Sequence, residues 1–160
     1  MRFLASPRWR LFLIIWVLYS LHFATNVVRE HYPAFSIAQH GTFRVDEYQG
    51  FHSDIFRHTD GHSYIDNQVF VSVLAAVPLF LCRPVLDAIE GYSRARLVSG
   101  DTGGVYRTDK PLRVRFFRLV KERGLDLRFG AATVITSAFF MAPITAAFLV
   151  YFYGVLRGRG

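Results

Sequence analysis

An all-α integral membrane fold with about three transmembrane helices is the class this sequence predicts, and three observations predict it. The apolar residues are gathered into three long runs, acidic residues are all but missing from those runs, and nearly all the charge lies between them. Composition by itself, with 160 residues, 52% apolar and 19% charged, would equally suit a soluble domain, so the arrangement carries the argument.

The first run, Leu11 to Val28, follows an N-terminus bearing Arg2, Arg8 and Arg10 and is interrupted only by mildly polar residues such as His22, Thr25 and Asn26. It outlasts a signal-peptide core and no A-x-A cleavage site follows, so a retained span over 11–28 is expected. The loop 29–68 comes next. Glu30 to Gln39 is expected to form a short surface helix lying on the membrane, with Tyr32, Phe35 and Ile37 as apolar contacts and Gly41 ending it. Thr42 to Val45 then reads as extended and delivers Asp46 and Glu47 to the bilayer surface.

The second run, Val69 to Cys82, resumes after Arg83 and Pro84 as Val85 to Ile89. A span over 69–89 requires Arg83 to snorkel and Pro78 and Pro84 to bend the helix, and a re-entrant segment is the alternative. The loop 90–128 is strongly basic, and its Leu112 to Arg123 stretch mixes Phe116, Phe117 and Val120 with Arg113, Arg115, Arg118 and Lys121, which predicts an interfacial amphipathic helix. The Gly100, Gly103, Gly104 cluster lacks the spacing and lysine of a phosphate loop. The third run, over 129–156, has no charge and exceeds the length a bilayer needs, so tilt or a kink at Pro143 is expected.

Loop charge sets the orientation: the basic loop 90–128 and the N-terminus are cytoplasmic and the loop 29–68 faces out, as in a bacterial plasma-membrane protein. With three crossings, Arg157 and Arg159 fall on the outer side, against the charge rule. The single cysteine, Cys82, leaves no intramolecular disulfide and no thiolate metal site. A pI near 10.0 suggests nucleic acid, but the basic residues abut apolar spans without stacking or zinc-finger motifs, so nucleic-acid binding is excluded in favour of juxtamembrane charge.

The outer loop is where chemistry is expected, because it gathers acids with His31, His40, His52, His58 and His62. In one reading Glu30, Asp46 or Glu47 is a general base, while Arg29, Arg44 or a bound divalent cation offsets phosphate charge. In another, the H-x5-H-x3-H series His52, His58 and His62, with Asp54 nearby, binds a divalent metal. The third is a solvated acidic loop.

A series of short motifs suggests a family. Tyr32-Pro33-Ala34, Gly41-Thr42-Phe43, Asp46-Glu47, Gly61-His62-Ser63-Tyr64, Asp66-Asn67 and Leu74-Ala75-Ala76 before Pro78 together resemble the start of bacterial GT-C membrane glycosyltransferases of the protein mannosyltransferase and aminoarabinose transferase group. The resemblance covers the first half of the chain. It implies sugar transfer from a polyprenyl-phosphate carrier on the outer face of the plasma membrane, with Asp46 and Glu47, then Glu30, matching the position of the essential acid. Such enzymes use about seven spans and more, so the resemblance implies an N-terminal portion, inactive alone. The alternative expectation is a small accessory membrane protein: Ala131, Ala132, Ser137, Ala138, Ala142, Ala146 and Ala147 would let partner helices approach, and the basic loop would bind anionic lipid.

Overall fold

The computed structural model describes residues 6–21, 28–66, 68–100 and 110–158; Arg2, the 22–27 end of the first apolar run, Asn67, Gly103 with Gly104, and Arg159 lie outside them. The described chain is mostly helical, with α1 (Pro7–Ser20), α2 (Val28–His40), α3 (Val69–Leu81), α4 (Arg83–Val98), α5 (Pro111–Glu122), α6 (Asp126–Phe139) and α7 (Met141–Arg157). It is not all-α: β1 (Ile55–Arg57) and β2 (Ser63–Ile65) form an antiparallel hairpin with Phe56 opposite Tyr64. The signal was present in an Asp60-Gly61 turn between two short β-prone stretches. Gly61 takes φ +85°, Asp60 accepts the His62 N–H at 2.9 Å, and the Tyr64 hydroxyl donates to Asp60 at 2.8 Å.

The chain divides into two compact units, one made of its two ends, 1–24 and 133–160, and the other of 25–132. In the first, α1 packs along α7. The Trp16 indole N–H donates to the Ala138 carbonyl at 2.8 Å and the Ser137 hydroxyl to the Tyr19 carbonyl at 2.9 Å, while the Arg8 guanidinium lies 3.6 Å from the Cβ position of Gly154. The pair is therefore antiparallel. Ala142 and Ala146, one turn apart on α7, are fully buried, and such small side chains let helix backbones approach closely. Outward, Leu18, Ile144, Phe148 and Leu156 are all more than half exposed.

Taken together, Asp126–Arg157 is a 32-residue helical stretch long and apolar enough to cross a membrane, with little of it buried. Its interruption falls at Phe140, where ψ is −69° and φ −118°, and not at Pro143. A proline lacks the N–H that would reach the carbonyl four residues back, and its ring crowds that carbonyl, here Phe139. The distortion expected at Pro143 is thus displaced one turn toward the N-terminus.

The second unit is built on α2, which packs on α3. A helix ending at Gly41 was legible: Gly41 adopts φ +65° and its N–H reaches the Ile37 carbonyl at 3.0 Å. Replacing Gly41 with alanine forces a β-carbon into the left-handed region and should cost about 1 kcal/mol in a denaturant titration. The location of α2 differs from expectation. Tyr32 is 0% and Phe35 1% exposed, so α2 is the centre of a core and these two rings pack on protein and not on lipid. Its rings meet those of other segments around Phe129, whose centroid lies 5.7 Å from Tyr32, 5.4 Å from Phe35, 6.1 Å from Tyr48, 6.4 Å from Phe51 and 5.8 Å from Phe116.

The 69–89 segment is likewise not one straight span. It breaks at Cys82, and α3 and α4 meet at a bend of 80°. Pro84 explains the position, since its ring is incompatible with continuing α3 but suits the first turn of a new helix. This bend removes the expected partition into outer and inner loops. Phe51 contacts Phe116 at 6.2 Å, the Arg123 guanidinium lies 4.7 Å over the Phe51 ring, and that of Arg128 lies 4.7 Å over Phe35. A hydrocarbon layer about 30 Å thick cannot lie between groups so close. Residues 29–68 and 90–128 form one unit. The amphipathic helix expected over 112–123 is present as α5, with Val120 buried and Leu112 exposed.

Candidate functional site

The most chemically endowed place in the second unit is a charged cleft of about 330 Å³. The end of α2 contributes Gln39 and His40, and the 3-10 turn Asp46–Tyr48 contributes Glu47. One face of α4 gives Asp87, Glu90 and Arg94, spaced three and four residues apart, and the first turn of α6 gives Arg128.

An ion-pair chain holds it together. Glu90 accepts from the Arg94 guanidinium at 2.5 Å through one carboxylate oxygen and from Arg128 through the other. Arg128 is only 7% exposed and its guanidinium lies over Phe35, so the charge is held by a carboxylate at one edge and a ring face below. Two contacts fix α4 against α6 beside it. The Ser93 hydroxyl donates to Asp126 at 2.5 Å, and Gly124, at φ +66°, brings the α5–α6 turn so close that a Cβ there would stand 3.0 Å from Arg94 Cγ. Two polar atoms among the described residues are buried without a hydrogen-bond partner at this place, Arg128 Nε and Gln39 Oε1.

The residues singled out from sequence fall in three places. Glu47 opens onto the cleft. Glu30 lies elsewhere, bound by Arg29 Nε at 3.3 Å and by the Ser72 hydroxyl at 3.5 Å, and Arg29 also bridges to Asp54 at 3.1 Å, beside which His52 Nδ1 lies at 3.5 Å. Asp46 is half-exposed on the hairpin side, accepting from the Ser63 N–H at 2.5 Å and sharing a 2.8 Å contact with His62 Nδ1. His58 stands with Asp60 at 3.5 Å. Arg44 is exposed, and its backbone N–H meets the Thr42 hydroxyl at 3.3 Å.

The three histidines of the expected metal series are thus distributed over separate carboxylates, and among the described residues no group of three or more His, Cys, Asp or Glu side chains gathers as a metal site would require. Nor does Asp46 have the character of a general base. The hydrogen bond from His62, then that from the Ser63 N–H, hold its carboxyl below the ordinary value of 3.8, which weakens its basicity. A depressed carboxyl stabilises the fold above its unfolded value and loses that contribution as pH falls through the folded one. Thermal unfolding should therefore worsen on acidification below about pH 4 in the wild type and less so in Asp46→Asn. Burial pushes the phenols of Tyr32 and Tyr48 well above the ordinary range, so both stay neutral.

Sequence reading counted Glu90, Arg94 and Arg128 as loop charge. The available signal was a Glu-x3-Arg pair on a helix together with an arginine opening a long charge-free run. Comparison with known proteins finds no matching family model, no matching curated protein and no matching solved structure.

Proposed function

We propose that this chain is a membrane-anchored binding protein of the bacterial plasma membrane, in which α1 with α7 and the part of α6 from residue 133 onward forms a two-helix transmembrane hairpin and residues 25–132, folded as a head, are exposed to the outer face of the membrane. The observation that carries the reading is the antiparallel α1–α7 pair, apolar outward, with Arg8 beside Gly154 and Arg157 at the same end. The chain outside residues 25–132 carries five arginines, Arg2, Arg8, Arg10, Arg157 and Arg159, and no acid. Positive flanking charge at both ends of such a hairpin favours both termini on the cytoplasmic side. This replaces a three-span topology by two crossings, and the arginines that offended the charge rule then obey it. Connectivity leaves 25–132, with its nearly balanced acids and bases, on the other side.

A cysteine-accessibility experiment tests this in a Cys82→Ser background. Thr59→Cys should react with a membrane-impermeant maleimide in intact spheroplasts, whereas Ser6→Cys should react only after permeabilisation. Equal labelling of the two sites would refute the hairpin.

Sugar transfer, which the motif series suggested, has one supporting observation: Glu47 is the acid among the three candidates that shares a cleft with arginines. That reading needs Glu47 as base in place of Asp46, and with it partner spans to complete a lipid-sugar cavity.

A further inference from the structure

Helix α3 is apolar all round yet covered on one side only. Between Asp66 and Arg83 the sequence holds no charged residue, and the helix itself has a single polar side chain, Ser72. That serine is buried with Ala75, Ala76 and Leu79, and its hydroxyl reaches Glu30 of α2 at 3.5 Å. At about 100° per residue the opposite arc carries Phe70, Val73, Leu74, Val77, Phe80 and Leu81, of which Phe70 is 73%, Val77 55% and Leu81 64% exposed. A helix with two apolar faces needs a cover for both, and α2 covers one.

The composition of the outer arc and the charges at its ends select the second cover. A protein interface mixes apolar contact with about one hydrogen bond per 100–200 Å² and a polar rim, whereas the six side chains of this arc hold no donor and no acceptor. Hydrocarbon, a medium without directional groups, matches such a surface. The helix is not a crossing. Its 13 residues make about 20 Å, short of the roughly 30 Å of a bilayer core, and α4, which would have to lengthen it, turns away by 80° and carries Arg83, Asp87, Glu90 and Arg94. Both ends are held at water: exposed Asp66 and Gln68 precede the helix, and beyond it Arg83 pairs with exposed Asp87 at 3.6 Å. Two hydrated ends on an apolar helix leave one orientation, parallel to the surface. We propose that α3 is an in-plane membrane helix, with its Phe70, Val77 and Leu81 side immersed in the acyl chains of one leaflet and its Ser72 side bearing α2. The proposal rests on the anchored-hairpin reading only for the choice of leaflet, so a depth measurement, which is blind to sidedness, separates the two.

Power-saturation electron paramagnetic resonance reads the cover, using nitroxide labels on Phe70→Cys, Val77→Cys and Leu81→Cys, one at a time, in the full chain carrying Cys82→Ser and reconstituted in phosphatidylcholine vesicles. All three side chains are exposed, so the label displaces no packed neighbour. Oxygen, which partitions into hydrocarbon, should relax each label more than water-soluble nickel ethylenediaminediacetate does, and Thr59→Cys on the hairpin turn should show the reverse. The three labels should lie about 5–10 Å into the headgroup and acyl boundary. Their depths should agree to within about 5 Å, one helical pitch, against the roughly 16 Å between Phe70 and Leu81 that a helix along the membrane normal would give. Low response to both reagents would mean that a protein partner or a second copy covers the arc, a nickel-dominated response that water does, and graded depth that the helix penetrates; each would overturn the proposal. These readings hold whichever way the termini face, whereas equal maleimide labelling of Ser6→Cys and Thr59→Cys sinks the hairpin alone.

Discussion

Phe129→Ala should lower the unfolding free energy of the head by about 3–5 kcal/mol, as truncations of buried phenylalanine do. The ring is 6% exposed and is the common neighbour of Tyr32, Phe35, Tyr48, Phe51 and Phe116, with centroid separations from 5.4 to 6.4 Å. These five come from α2, the 3-10 turn and the residues after it, and α5, so no single neighbour can relax into the space without abandoning contacts of its own. Edge-on geometry adds specificity: Phe35 meets Phe129 at an interplanar angle of 86°. Phe129→Leu keeps most of the volume and should cost roughly half as much. The measurement is denaturant unfolding in mild detergent, followed by the fluorescence of the tyrosines, among them Tyr32 and Tyr48 of the core, since both tryptophans, Trp9 and Trp16, lie outside residues 25–132. A loss below about 1 kcal/mol for the alanine variant would mean that this ring is not the keystone of the core.

Why that core was hidden, while the helices around it were plain, follows from what each feature depends on. Helix α2 and its end were legible because they are local: Gly41 supplies the left-handed residue that closes a helix, and this needs no knowledge of neighbours. The amphipathic α5 was legible for the same reason. The exposure of α2 was not, because Tyr32 and Phe35 look the same beside lipid as beside other rings, and only the return of Phe116 and Phe129 from far along the chain decides between them. Run length misled at 69–89. A hydropathy count sees through Arg83 and Pro84, whereas the backbone does not, and the 80° bend there brings two loops together that a straight span would have parted. The polar site suffered most: Glu47 was named, but Glu90 and Arg128 acquire meaning only once α4 and α6 are side by side.

That ion pair makes an asymmetric prediction. Glu90→Leu should be the costlier single substitution, at about 3–5 kcal/mol, because it strands Arg128, which is 7% exposed and has no other carboxylate within salt-bridge distance among the described residues. Arg128→Leu should cost roughly half that, since Glu90 keeps Arg94 at 2.5 Å and the leucine can pack on the Phe35 face that the guanidinium vacates. In the double variant no buried charge is left alone, and the total should fall short of the sum of the singles by about 2 kcal/mol. Exposed Arg94 gives the control: Arg94→Gln should cost less than about 1 kcal/mol, as breaking a solvent-facing pair on one helix does. The order of the two single variants is decisive. If Arg128→Leu proved as damaging as Glu90→Leu, or if the double variant were simply additive, the buried arginine would be held by its packing and not by the carboxylate, and the cleft would have a scaffold rather than a charge at its base.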